Sequence, residues 1–212
     1  MNIKTIPTGP LEVNTYIISN GTSECIVIDP ADAKPVLEYC EGEGLTVAYV
    51  LLTHGHFDHI LGVAQLQKLG AKVYIHKLDA SCLHSNHRNL ALMSGMGVEP
   101  CAADVELLGG EELQLLGITI KVISTPGHTP GGVCYVMESE RAIFAGDTLF
   151  RLSVGRSDLP RGDSRALHDS IALSLFTLPG DYDVYPGHME WTTLQFERDN
   201  NPFMRRWSTE LW

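Results

Sequence analysis

The segment Thr53-His54-Gly55-His56-Phe57-Asp58-His59 places four potential metal ligands within six positions, directly after the apolar run Val47 to Leu52. No structural role requires that density. Several imidazoles protonated together would repel one another, whereas a divalent cation binds neutral imidazole and carboxylate and removes the conflict. Three further candidates share one local pattern: His128 in Ser-Thr-Pro-Gly-His-Thr-Pro-Gly, Asp147 in Phe-Ala-Gly-Asp-Thr and His188 in Tyr-Pro-Gly-His. Each follows an apolar run and a glycine, which lets the backbone pass close to a crowded centre. A lone histidine after a strand is ordinarily a hydrogen-bonded loop residue. Here the same pattern occurs three times beside the dense cluster, and that repetition favours metal binding over a solvated polar loop.

The elements that must position these residues are legible as short apolar, β-branched runs separated by turn residues. Strands are predicted at Thr15 to Ile18, Cys25 to Ile28, Val47 to Leu52, Lys72 to Ile75, Ile118 to Ile123, Val133 to Met137, Ala142 to Ala145 and Asp183 to Tyr185. Helical periodicity is found at Ala33 to Glu43, His59 to Leu69, Asp79 to Leu83, Arg165 to Thr177 and Thr192 to Asn200. Pro35 suits a first helical turn, Asp163 or Ser164 a cap, and Gly70 and Gly180 positions just past helix ends. The order of strands and helices suits two sheets between helical layers. Ser85 to Glu106 carries little periodic signal and is expected to be an irregular connection beside the site.

A length of 212 residues suits one domain with a full core, and 44% hydrophobic with 19% charged residues describes an ordinary soluble globular chain. No apolar run approaches the roughly 18 residues needed to span a bilayer, and Met1 to Pro10 has neither a basic nor an apolar leader segment. The five cysteines Cys25, Cys40, Cys82, Cys101 and Cys134 are odd in number and never form a C-x-x-C pair. A cytoplasmic protein with reduced structural thiols is expected. The net charge of -11 disfavours nucleic acid as a partner. The aromatic group Trp191, Phe203, Trp207 and Trp212 packs the last helix if buried, and marks a homodimer face if exposed.

Together His54, His56, Asp58, His59, His128, Asp147 and His188 resemble the metallo-β-lactamase superfamily, whose pattern is H-x-H-x-D-H followed by a lone His, a lone Asp and a lone His. The resemblance covers nearly the whole chain. It implies an α/β fold, an αββα four-layer sandwich with two mixed β-sheets flanked by helices, as a single domain over 1–212 with a dinuclear site at one edge. It further implies that His54, His56 and His128 hold one metal, that Asp58, His59 and His188 hold the other, and that Asp147 bridges both. Asp29, in Val27-Ile28-Asp29-Pro30, would brace the ligand loops; read from the residues alone it is equally a turn-forming Asp before proline.

Within the superfamily the chain looks most like glyoxalase II and the short glyoxalase II-like hydrolases, through Ser124 to Gly131, Phe144 to Phe150, Gly155-Arg156-Ser157-Asp158 and Asn201-Pro202-Phe203. There are two departures. The chain ends at Trp212, about where the thioester hydrolase continues into a helical glutathione-binding domain, and Met189 follows His188 where glycine is common. The resemblance implies hydrolysis of a small acyl-thiol or ester by attack of a metal-bridging hydroxide, with Asp58 and Asp147 as catalytic residues. The ligand types suit two divalent ions, zinc first, with iron or manganese also accepted. Arg156 is either a guanidinium fork for a substrate carboxylate or part of a surface ion-pair cluster with Asp158. The alternative activity is that of a mononuclear iron persulfide dioxygenase, a family that commonly shows Ala where Gly187 stands. Class B β-lactamases usually carry Cys where Asp147 stands.

Overall fold

A computed structural model describes residues 1–207. Strands β1 (Asn2–Thr8), β2 (Val13–Ser19), β3 (Glu24–Ile28), β4 (Thr46–Leu51), β5 (Lys72–His76) and β6 (Val105–Leu107) lie side by side in that order in a first sheet. The first two pairings are antiparallel and the last three parallel. Parallel neighbours need crossovers. These are supplied by helices α1 (Ala33–Glu43), α2 (Phe57–Ile60) and α3 (Val63–Lys68), then by a 3-10 turn at Ala80–His84 and the short helix α4 (Ala91–Ser94). Asp32 caps α1 by accepting from Lys34 N, and Gly44 closes it in the left-handed conformation.

The second sheet contains β7 (Glu112–Leu115), β8 (Ile118–Ser124), β9 (Val133–Met137) and β10 (Ala142–Gly146). A small hairpin, β11 (Leu149–Phe150) with β12 (Ser153–Val154), leads to α5 (Ser164–Asp169), whose cap is Asp163, and to a wider π turn at Ser170–Leu175. The chain returns as β13 (Asp183–Pro186) and β14 (Thr192–Thr193), then α6 (Leu194–Asn200) and α7 (Pro202–Trp207). The sheet order is β14-β13-β10-β9-β8-β7, antiparallel except for the parallel pair β10 and β13.

Alternation along each strand gives each sheet two apolar faces, so both are covered. Ile18, Ile26, Ile28 and Leu51 of the first sheet meet Ile120, Val122, Tyr135 and Phe144 of the second in the central core. The intervening Cys25, Val27, Val50 and Val73 turn outward against Val36, Cys40, Val63 and Leu66 of α1 and α3. Cys134, Val136, Ile143 and Val184 likewise pack on Leu167, Ile171 and Leu194. This is the expected αββα sandwich of two mixed sheets.

Four local expectations change. The helix predicted over His59 to Leu69 is interrupted between α2 and α3, where Gly62 N donates to Pro30 O at 2.8 Å. Asp79 to Leu83 is a 3-10 turn displaced by one residue, and Ser85 to Glu106 contains α4. The helix expected from Thr192 starts at Leu194, because Thr192 and Thr193 pair with β13. Of the aromatic group, Trp191 and Phe203 are exposed. The side chain of Trp207 and the whole of Trp212 lie outside the described residues.

Candidate metal centre

All seven predicted ligands converge at one edge of the sandwich, at the ends of β4, β8, β10 and β13 or in the loops that follow them. Two buried tyrosines set these strand ends from inside the core. Tyr135 Oη donates to Leu52 O at 2.8 Å, just before Thr53 and His54, and Tyr16 Oη donates to Pro186 O at 2.6 Å, two residues before His188. Buried hydroxyls require such partners. Asn14 adds two more ties: its Nδ2 donates to Pro186 O at 3.1 Å and to Met189 O at 2.9 Å.

Possible ligand atoms of His54, His56 and His128 lie within 4.8 Å of one another, and so do those of Asp58, His59 and His188. Asp147 stands between the two groups, with Oδ1 3.4 Å from His59 Nε2 and Oδ2 3.5 Å from His128 Nε2. His188 Nε2 is 3.4 Å from Asp58 Oδ2. Two triads sharing one carboxylate form a dinuclear donor set.

The hydrogen-bond partners decide which nitrogen of each ring is available. His59 Nδ1 donates to Asp29 Oδ2 at 2.9 Å, His128 Nδ1 to Arg156 O at 2.7 Å and His188 Nδ1 to Leu11 O at 3.2 Å. Each leaves Nε2 facing the centre, where that of His128 accepts from His56 Nδ1 at 2.8 Å. Thr53 Oγ1 donates its only hydrogen to Asp29 Oδ2 at 2.6 Å, so at 3.1 Å it accepts from His54 Nδ1 and again leaves Nε2. Asp29 therefore orients one imidazole directly and another through Thr53. A third possible metal group, Asp29 with His54 and His59, is explained by this bracing, because both oxygens of Asp29 already accept hydrogen bonds.

A fit test comes from the buried polar atoms. Buried groups ordinarily find partners. Among the described residues, His54 Nε2, His59 Nε2, Asp147 Oδ1 and Thr129 Oγ1 are buried without a hydrogen bond, and the first three belong to this donor set. A cation would satisfy all three. The titration tendencies agree with neutral imidazoles at two members of the first triad: burial lowers the pKa of His54 far below the ordinary value and that of His56 to about 3. At His59 burial also opposes charge, but Asp58, Asp147 and Asp29 outweigh it and hold the pKa well above the ordinary value. Burial pushes the Asp147 carboxyl up, and the neighbouring His59, with His128 and His188, more than reverses this and holds it below the usual carboxylate range.

Two glycines are needed by this crowding. A Cβ at Gly146, whose φ is 48°, would overlap the Thr53 side chain. A Cβ at Gly187 would overlap Asp147 Oδ1 and stand 2.7 Å from His59 Cε1.

A family profile described as the metallo-beta-lactamase superfamily matches residues 8–188. The chain belongs to this superfamily. It is 32% identical to hydroxyacylglutathione hydrolase GloC of Haemophilus influenzae, over 96% of this chain and 98% of that one. The fold is similar to the BLEG-1 B3 metallo-beta-lactamase, with a TM-score of 0.91, 35% identity, and coverage of 96% and 99% of the two chains. It is also similar to TTHA1623 in a di-iron-bound form, with a TM-score of 0.84, 37% identity and coverage of 94% and 99%. With its donor set, the protein is a metal-dependent hydrolase of this superfamily.

The Arg156 guanidinium, one expectation for which was a substrate fork, is engaged by Asp158: Nε and Nη2 donate to its two oxygens at 2.8 and 2.9 Å. The backbone carbonyl of Arg156 is the part that touches the centre, through His128. Sequence reading also passed over Asp79. It is fully buried, and accepts from Gly55 N at 3.1 Å and Gly131 N at 3.2 Å, so it links the loop of His54 and His56 to that of His128. The available signal was an acidic residue inside an apolar stretch, Leu78-Asp79-Ala80, just after β5.

Proposed function

We propose that the protein hydrolyses thioesters, in the manner of the glyoxalase II-like enzymes. The observation that carries this reading is the pair of triads joined by Asp147; the likeness to GloC supports the thioester as the bond cleaved. In this reading His54, His56 and His128 hold one divalent ion, Asp58, His59 and His188 the other, and Asp147 contacts both. Zinc suits the nitrogen and oxygen donors first, with iron or manganese as alternatives. Bound ions would supply Lewis acidity and bring the pKa of water toward neutrality.

The chain's own residues hold and orient. Asp29, Thr53, Leu11 O and the Arg156 carbonyl fix the imidazoles before substrate arrives, so little reorganisation is needed during reaction. Asp147 sets the separation of the two triads. Asp58, beside His188, is placed to accept a proton in a minor role. Overall, water adds to the acyl carbon, a C–O bond forms, the C–S bond breaks and the sulfur leaves as a thiol carrying the second proton. The substrate is a small molecule, and five unpaired cysteines support a reducing, cytoplasmic setting.

The test is turnover of S-lactoylglutathione and a panel of neutral acyl-thiols by metal-loaded protein, with and without chelator. Turnover that survives complete metal removal would sink the proposal. A second reading, cleavage of a β-lactam amide, is favoured by the likeness to BLEG-1. A chromogenic cephalosporin in the same panel separates the two. The persulfide dioxygenase alternative would be identified by a single iron and oxygen uptake with a persulfide.

A further inference from the structure

A cavity of about 480 Å³ opens onto the ligand cluster, within the size range of small-molecule sites. Away from the ligands its walls are mostly apolar, with Leu11, Phe57, Leu90, Met93, Phe150 and Met189 among them and Ser94 and Ser153 as the uncharged polar residues. Three of these stand at the mouth with large apolar side chains in solvent: Leu11 is 53% exposed, Met93 70% and Met189 64%. Met189 is fixed there by its backbone, which has a φ of 68° and whose carbonyl accepts from Asn14 Nδ2. Arg156 is the single Lys or Arg in the wall, and Asp158 takes both Nε and Nη2.

A carboxylate set against these walls, away from the ligand cluster, would lose hydration, and the one guanidinium there is already paired with Asp158. An alkyl or acyl chain would instead remove apolar surface from water, and the flexible thioethers of Met93 and Met189 can adapt to its shape. We propose that this cavity selects thioesters and esters whose acyl and leaving groups are uncharged and apolar, in preference to those built on an anionic, glutathione-like thiol. The inference rests on the hydrolytic reading above and narrows its substrate class.

Binding and turnover are measured separately so that the two proposals can fail independently. Two non-hydrolysable thioethers share a hexyl group and differ in their carrier: S-hexyl-N-acetylcysteamine is neutral and S-hexylglutathione is anionic. Calorimetric titration of the full-length, zinc-loaded protein is expected to give at least about tenfold tighter binding of the neutral compound, because the anionic carrier must surrender carboxylate hydration. Met93→Lys, at an exposed position outside the ligand set, and Asp158→Ala, which frees the Arg156 fork, should each narrow that ratio by about threefold or more. Equal or tighter binding of the glutathione compound overturns the inference. So does a ratio that both variants leave unchanged, or failure of both thioethers to bind at millimolar concentration. Hydrolysis of the hexanoyl thioesters of the same two carriers is followed in parallel. Absence of turnover for both counts against the thioesterase reading, whereas the binding ratio judges the cavity.

Discussion

Asp29 Oδ2 accepts from both Thr53 Oγ1 and His59 Nδ1, so Asp29→Asn removes acceptor capacity and places an N–H against two donors. Asparagine tolerates the left-handed backbone that Asp29 adopts at a φ of 50°, so the change tests the hydrogen bonds more than the turn. The expected outcome is a loss of about 10–100-fold in metal affinity, measured by competition with a chromogenic chelator. Unaltered affinity would mean that Asp29 is only a turn residue. Gly187→Ala asks a steric question at the same centre. Its methyl group would displace Asp147 or His59, and the expected result is a cooperative melt with fewer than two equivalents of bound metal by elemental analysis. Retention of two equivalents would show that the loop moves freely enough to absorb the methyl group.

Asp79 acts between elements, because the two loops it joins leave different sheets: Gly55 follows β4 of the first and Gly131 precedes β9 of the second. Asp79→Ala leaves two buried N–H groups unpaired, at about 1–3 kcal/mol each before any water enters. A stability loss of about 3 kcal/mol by urea denaturation is therefore expected; a loss below about 0.5 kcal/mol would show that the carboxylate is dispensable. Element legibility followed the same division between local and distant causes. The bounds of α1 match the expected Ala33 to Glu43, for which Pro35 was the local sign, and the structure adds Asp32 and Gly44 as its caps. Strands β1 and β7 were missed because they lie at sheet edges with mostly solvent-facing side chains and so show no apolar run. The interruption between α2 and α3 was also invisible, since apolar periodicity continues across a break that depends on a contact with Pro30.

For the whole molecule, ions that bind only the folded centre must stabilise the fold by mass action. One ion at about a hundred times its Kd contributes about 2.7 kcal/mol, and for a chain of this size that corresponds to a rise of about 5–10 °C in Tm. Chelation should lower the midpoint by that amount and zinc should restore it; a midpoint indifferent to both would contradict a preformed centre. The layered plan and the seven candidate donors were legible from the chain, through its family resemblance and through periodicity, turn chemistry and spacing, which are properties of neighbours along it. What only the tertiary structure decided was how those donors are presented: which imidazole nitrogen faces the centre, which distant groups orient it, and how apolar the approach is. Those outcomes depend on partners such as Asn14 and Pro186, separated by 172 positions. Packing two sheets face to face is what brings such groups within hydrogen-bonding reach, and local sequence does not encode that meeting.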